Sequence, residues 1–240
     1  MKLANNKILI TGGASGIGLG LAERFIQENN TVIICGRRES ALLEAAEKIP
    51  SVITKVCDLS LETDRIALYE WVAENHSDLN VLVNNAGIQN WMHINDTDFY
   101  EKSSAEITTN ILAPIHLTKL FSNLSTLDTI INVTSGLAFV PLSAVPVYCS
   151  TKAFMRSFTL SIRHSLKDSA IEVIEMIPPA LNTDLGGKGL HNNFPAVSEF
   201  VSAVFEQIKD GKTELTFGTS ADRAEANNET ITDYFNRMNP

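Results

Sequence analysis

Seven short runs of β-branched and aliphatic residues recur along the chain: "KILIT" (7–11), "TVIIC" (31–35), "SVITKV" (51–56), "LNVLVN" (79–84), "TIINVT" (129–134), "IEVIEMI" (171–177) and "ELTF" (214–217). They are apolar almost throughout instead of alternating, so the sheet they form must be covered on both faces. The stretches between them carry helical spacing, with Ile17, Leu21, Ala22 and Phe25 on one face and Phe154, Phe158 and Ile162 on another. Strand, helix, strand, repeated, predicts right-handed crossovers and an α/β domain. Its core is a doubly wound, about seven-stranded parallel sheet with helices on both faces. Ligands of such sheets bind beyond the carboxyl ends of the strands, and the polar motifs of this chain fall at those ends.

The 240 residues, 44% of them hydrophobic, suffice for one large core, and no linker, repeat or low-complexity run divides them, so a single domain over 1–240 is expected. A formal charge of −9 with scattered Arg and Lys repels polyanions and argues against nucleic acid or an anionic membrane as partner. "MKLANNKILIT" has no apolar signal core and no stretch reaches membrane-span length, which makes the cytoplasm the expected location. Cys35, Cys57 and Cys149 read as reduced core thiols. The five histidines do not pair at ligand spacing and no carboxylates cluster, so no metal is expected.

"ILITGGASGIGLGLAERF" sets Gly12, Gly16 and Gly18 directly after the first strand, with a helix opening at Ser15 to Ile17. Glycines allow a tight turn and close approach to a pyrophosphate, which the free N–H groups of a helix start attract. At the end of the second strand, where a carboxylate would hold the ribose 2'-hydroxyl of NAD, "IICGRRES" has Gly36, Arg37 and Arg38. Guanidinium groups suit a 2'-phosphate, which favours NADP over NAD. "VCDLS" ends the third strand with Asp58 and Leu59. Asp58 serves either an adenine amino group or the N-cap of the next helix. "VLVNNAGIQ" brings Asn84, Asn85, Ala86 and Gly87, a wall beside a ribose or a brace for the central strands.

"VYCSTKAF" places Tyr148 and Lys152 one turn apart on a helix. A phenol is a poor acid-base group at its ordinary value of about 10, and a nearby ammonium favours its ionised form. "INVTSGLAF" leaves Ser135 at the same sheet edge, able to orient a substrate oxygen toward Tyr148. Asn110 interrupts the apolar face of "AEITTNILAPIHLTKLF", where its amide needs partners or simply satisfies the helix.

Together, "TGGASGIG", "NNAG", Asn110, Ser135, Tyr148 and Lys152 resemble the short-chain dehydrogenase/reductase family from Thr11 to Thr183. The resemblance implies a Rossmann fold and a catalytic set of Asn110, Ser135, Tyr148 and Lys152. In it Tyr148 is the general acid or base, Ser135 polarises the carbonyl, Lys152 holds the nicotinamide ribose and lowers the tyrosine pKa, and Asn110 holds a water of a proton relay. It places the cofactor against Gly12, Ser15, Gly16, Ile17, Gly18, Arg37, Arg38, Asp58, Leu59, Asn85, Ala86, Gly87, Tyr148, Lys152, Pro178 and Thr183. Pro179 stands where the family usually has glycine, which should stiffen the nicotinamide wall. Within the family, "VTSGLAFVPLSAVPVYCSTKAF" and "VIEMIPPALNTDL" are most similar to the DltE-type oxidoreductases. The implied activity is NADP-dependent hydride transfer to or from a carbonyl or secondary alcohol. The alternative is a non-catalytic NADP(H)-binding redox sensor. The Gly-rich stretch at about 183–197 reads as a substrate lid, from which His191 and Phe194 would touch substrate or, for His191, simply face solvent. The helices holding Asn110 and Tyr148 are expected to pair subunits in a homodimer or homotetramer. "SADRAEANNETITDYFNRMNP" is expected to form a helix with Ile231, Tyr234 and Phe235 on one side.

Overall fold

In the first strand, Ile8 and Ile10 sit in one apolar cluster and Leu9 in a second, all three fully buried, so the strand is covered from both sides. The computed structural model describes residues 1–227 and 229–239. The seven runs read from sequence become β1 (Lys7–Thr11), β2 (Thr31–Gly36), β3 (Ile53–Val56), β4 (Val81–Asn84), β5 (Thr129–Val133), β6 (Glu172–Ile177) and β7 (Glu214–Thr216). They form one sheet in the order β3-β2-β1-β4-β5-β6-β7, every pair parallel. The order reverses between β1 and β4, and loops leaving neighbouring strands in opposite directions open a crevice there.

The helices are α1 (Gly16–Gln27), α2 (Glu39–Lys48), α3 (Glu62–Asn75), α4 (Phe99–Ile107), α5 (Ala113–Phe121), α6 (Pro146–Ser165), α7 (Val197–Lys209), α8 (Thr219–Ala224) and α9 (Ile231–Met238). One face of the sheet takes α1, α2 and α7 through Leu21, Phe25, Leu42, Phe200 and Phe205; the other takes α3 and α5 through Leu68, Val72, Leu117 and Phe121. Each fully buried Leu or Phe contributes roughly 1.5–3 kcal/mol relative to exposure. The Phe25 and Phe205 rings lock α1 to α7 with centroids 4.7 Å apart.

The single helix expected over "AEITTNILAPIHLTKLF" is divided: α4 passes through a π-helical turn, Thr108–Leu112, before α5. Pro114 lacks the N–H that would continue α-helical bonding there. Asn110 lies within the widened turn. On α6 the buried residues are Tyr148, Cys149, Thr151, Lys152, Met155 and Thr159, whereas Phe154 is exposed. The long helix therefore turns a face inward that is half polar.

Candidate active site

The glycine turn works by close approach. Gly12 and Gly16 hold positive φ of 63° and 52°. A Cβ on Gly12 would lie 2.9 Å from Ala86 Cα, and one on Gly18 would lie 2.4 Å from the Gly12 carbonyl oxygen. Thr11 anchors the facing loop: its hydroxyl donates to Val83 O and accepts from the amides of Asn85 and Ala86, both at 3.0 Å. The Asn85 side chain donates to Thr11 O at 2.8 Å. No side chain caps the first amides of α1, which leaves them for an anion.

A cleft of about 930 Å³ runs from this turn along the carboxyl edge of the sheet. Gly12, Ser15, Gly16, Ile17, Arg37, Arg38, Asp58, Leu59, Asn85, Ala86, Gly87, Tyr148, Lys152, Pro178 and Thr183 all line it. Gly18 does not; it seats α1 against the turn, a packing role. Arg37 and Arg38 are exposed and form no ion pair among the described residues. Asp58 does not cap α3, which starts at Glu62; its carboxylate accepts from the Ser60 amide (3.0 Å) and hydroxyl (2.8 Å). Those bonds, and to a smaller extent Arg37, hold it below its ordinary value.

At the other end α6 delivers Tyr148 and Lys152 to the cleft, and the turn after β5 holds Ser135 beside them without lining it, all three buried. Lys152 Nζ donates to Val133 O at 2.9 Å and lies 5.6 Å from the Tyr148 ring centroid. Burial pushes this ammonium down to about 8. The phenol runs against expectation: burial, with a further push from Cys149, raises it above the usual tyrosine value, and the hydrogen bond with Ser135 opposes this. A buried lysine already committed to a carbonyl does not outweigh the desolvation of the phenolate. Leu137, Leu142, Val145 and Leu185 give the phenol an apolar surround.

Asn110 lies behind the cleft. Its Oδ1 accepts from Ile88 N and its Nδ2 donates to Ile88 O, each at 2.9 Å, and Nδ2 also donates to Thr151 Oγ1 at 3.1 Å. A Cβ on Gly87 would sit 3.4 Å from Asn110 Oδ1 and 3.5 Å from Lys152 Nζ, so this glycine is where the two groups converge. Asn84 turns away as a brace: it donates to Asn132 Oδ1 (2.9 Å) and Thr118 Oγ1 (3.2 Å). His191 and Phe194 meet edge to face and do not line the cleft, His191 meeting Thr183 O at 3.3 Å. The lid-side residues that line it are Asp184, Leu185 and Gly186. Sequence reasoning missed Gln89, whose amide nitrogen would be 2.7 Å from a Cβ on Gly186, and Glu106, buried one turn before Asn110. The spacing of Glu106 and Asn110 on one inward helix face was the available signal.

A parallel sheet with a glycine turn at its reversal point, and a buried Ser, Tyr and Lys at the same edge, defines a nucleotide-dependent oxidoreductase. Residues 6–193 match the family model described as short chain dehydrogenase, and the chain belongs to that family. It is 45% identical over 225 residues to the oxidoreductase DltE of Bacillus subtilis (strain 168), covering 90% of this chain and 89% of that protein. It is 30% identical over 216 residues to the NADP-dependent 3-hydroxy acid dehydrogenase YdfG of Escherichia coli (strain K12), covering 88% of this chain and 80% of that one. Its fold overlays a short chain dehydrogenase from Burkholderia cenocepacia J2315, solved with NADP, with a TM-score of 0.84 at 24% identity over 98% of this chain and 99% of that one.

A nicotinamide dinucleotide suits these residues. Uncapped amides at α1 would meet a pyrophosphate, a Cβ at Gly12 would close the turn, and the cleft is at the upper end of ligand-pocket volumes.

Proposed function

We propose that the chain is an NADP-dependent oxidoreductase acting on a carbonyl or secondary alcohol substrate, with Tyr148 as general acid or base. The observation that supports it best is one cleft lined at one end by buried Tyr148 and Lys152, with Ser135 bonded to the phenol beside them, and at the other by two guanidinium groups that form no ion pair among the described residues. When bound, the dinucleotide supplies or accepts the hydride. The chain's residues do the rest. Ser135 orients the substrate oxygen, and Tyr148 donates to it or takes its proton. Lys152 holds the nicotinamide ribose, and Asn110 fixes the Ile88 wall and, by the family resemblance, begins the proton relay. Arg37 and Arg38 hold the 2'-phosphate. Gly12, Ser15, Gly16 and Ile17 hold the pyrophosphate, Asp58 and Leu59 flank the adenine, and Asn85 to Gly87, Pro178 and Thr183 wall the nicotinamide end. The 30% identity to a protein named for NADP and 3-hydroxy acids supports this cofactor and a hydroxy or oxo substrate.

The segment 183–197 closes over substrate. Its base is tied where Asn182 N donates to Pro195 O at 2.8 Å, and Gly186, Gly187 and Gly189 all have positive φ. Two copies pair through α4 and α6. The three free thiols agree with a reducing cytoplasm, and no helix among the described residues is long and apolar enough to cross a membrane.

The test is Tyr148→Phe, assayed with NADPH against aldehydes, ketones and oxo acids. Turnover should fall by about 10²–10⁴-fold while NADPH binding persists. Parent-level turnover in that variant would overturn the reading.

A further inference from the structure

Glu106 and Asn110, one turn apart, both reach the segment after β4. Asn110 holds Ile88 through its amide and carbonyl. Glu106 Oε1 accepts from the main-chain N–H of Asn90 at 2.5 Å and from its Nδ2 at 3.0 Å. Ile88, Gln89 and Asn90 all line the cleft, so this pair of side chains fixes one wall of it.

The clamp accounts for only one oxygen of Glu106. The residue has no exposed surface, Oε2 has no hydrogen-bond partner, and no cation pairs with it among the described residues. A glutamine would hold Asn90 equally well without burying a charge. The charge therefore calls for another reason, and its surroundings supply one. The segment packed on it presents the neutral Asn90. From α6 the titratable groups within its field are Tyr148 and Cys149; burial is what chiefly raises both, and Glu106 adds a smaller push in the same direction. Lys152, on the same inner face of α6, bonds to Val133 O instead. On α4 itself Glu101 is exposed and Lys102 pairs with Asp98 at 3.0 Å.

We infer that Glu106 is a positioning residue for the proposed reaction: it holds the Ile88–Asn90 wall of the cleft, and it presents a buried carboxyl from α4 to the packed helix α6 that carries Tyr148. This rests on Tyr148 being the acid-base group. The sign of its effect on that phenol follows from the order of ionisation. Burial raises Glu106, yet a carboxyl still loses its proton before a phenol does, so an anion faces Tyr148 throughout its titration. That anion opposes the phenolate, and removing it moves the titration to lower pH.

Two variants separate clamp from charge. Glu106→Gln keeps an oxygen for Asn90 and removes the charge; Glu106→Leu removes both. The readouts are the pH–rate profile and an ultraviolet difference titration of the phenolate, with Tyr148→Phe subtracted to isolate this tyrosine from the other three. For Glu106→Gln the Tyr148 transition should move toward acid by about half a pH unit or more, with KM within about twofold of the parent. Glu106→Leu should show the same move and, with the wall released, a KM raised about tenfold. A Glu106→Gln titration that overlays the parent overturns the inference about charge, and an unchanged KM in folded Glu106→Leu overturns the clamp. Should Glu106→Leu fail to fold by thermal unfolding, the wall is judged from a milder release, Asn90→Ala, whose KM should likewise rise. Parent-level turnover in Tyr148→Phe would sink the functional reading instead, while the spectroscopic titration would still decide whether Glu106 acts on that phenol.

Discussion

Lys152 shows how a functional side chain opposes the fold that holds it. Its ammonium is buried, and its value falls from 10.5 to about 8. Below about 8 the folded and unfolded chains both carry the proton, and the full cost of the buried charge is present. As pH rises from about 8 toward 10.5 the folded chain loses the proton first, the unfolded chain binds more protons, and this group makes stability rise with pH. Lys152→Met should raise stability at pH 7 by up to about 3 kcal/mol, less whatever the freed Val133 carbonyl costs, and should flatten that rise. Thermal unfolding between pH 7 and 10 measures both, and a variant less stable than the parent at pH 7 would refute the argument. Turnover should be lost in the same variant. Arg37 and Arg38 invite a second substitution. Neither forms an ion pair among the described residues, so Arg37→Ala with Arg38→Ala should leave Tm nearly unchanged, weaken NADPH binding by about 10²-fold, and leave NADH binding within a few-fold. Equal losses for the two dinucleotides would remove the 2'-phosphate from the account.

Strands and the glycine turn were legible in the sequence because their constraints are local. A parallel strand covered on both faces must be apolar throughout, and a turn in which an added Cβ would fall 2.4–2.9 Å from neighbouring backbone atoms must be glycine. The π turn at Thr108–Leu112 was not legible, since helical periodicity continues through it and only Pro114 marks the break. The inward face of α6 was hidden for a related reason. Phe154, Phe158 and Ile162 announced a helix, yet other residues are the ones buried, half of them polar, including Thr159, which accepts from Asn132 Nδ2 at 2.9 Å. The direction of the Tyr148 shift was missed because the burial that drives it comes from neighbours distant in sequence such as Leu185, with a smaller push from the charge of Glu106. The glycines separate by the same geometry. Gly18→Ala drives a methyl into the Gly12 carbonyl, which cannot move without opening the turn, and should cost about 2 kcal/mol or more together with dinucleotide affinity. Gly36→Ala meets only Leu42 Cδ2 at 4.0 Å and should be neutral to within about 1 kcal/mol. Parallel unfolding curves for the two variants would contradict this packing account.

Taken whole, the molecule places its chemistry and its proposed partner on the same two helices. α4, with the π turn, packs beside α6; the inward faces of this pair carry Glu106, Asn110, Tyr148 and Lys152, while Tyr100, Ile107, Leu112, Phe154 and Leu160 remain exposed. Scattered exposed apolar residues are ordinary, but five on two adjoining helices make a patch of the kind that marks an interface. A second copy related by a two-fold axis would cover the same patch on both chains, which is the commonest closed arrangement. The consequence reaches the site, because a subunit packed on α6 would restrain the helix that aims Tyr148. Phe154→Glu with Leu112→Glu should therefore convert a dimer or tetramer to monomer at micromolar concentration in light scattering. It should also lower Tm and reduce turnover more than NADPH binding, since α1 and the arginines lie on other elements. A parent chain that is already monomeric, or a charged variant that keeps the parent's mass, would separate the patch from assembly and leave α6 positioned by its own subunit alone.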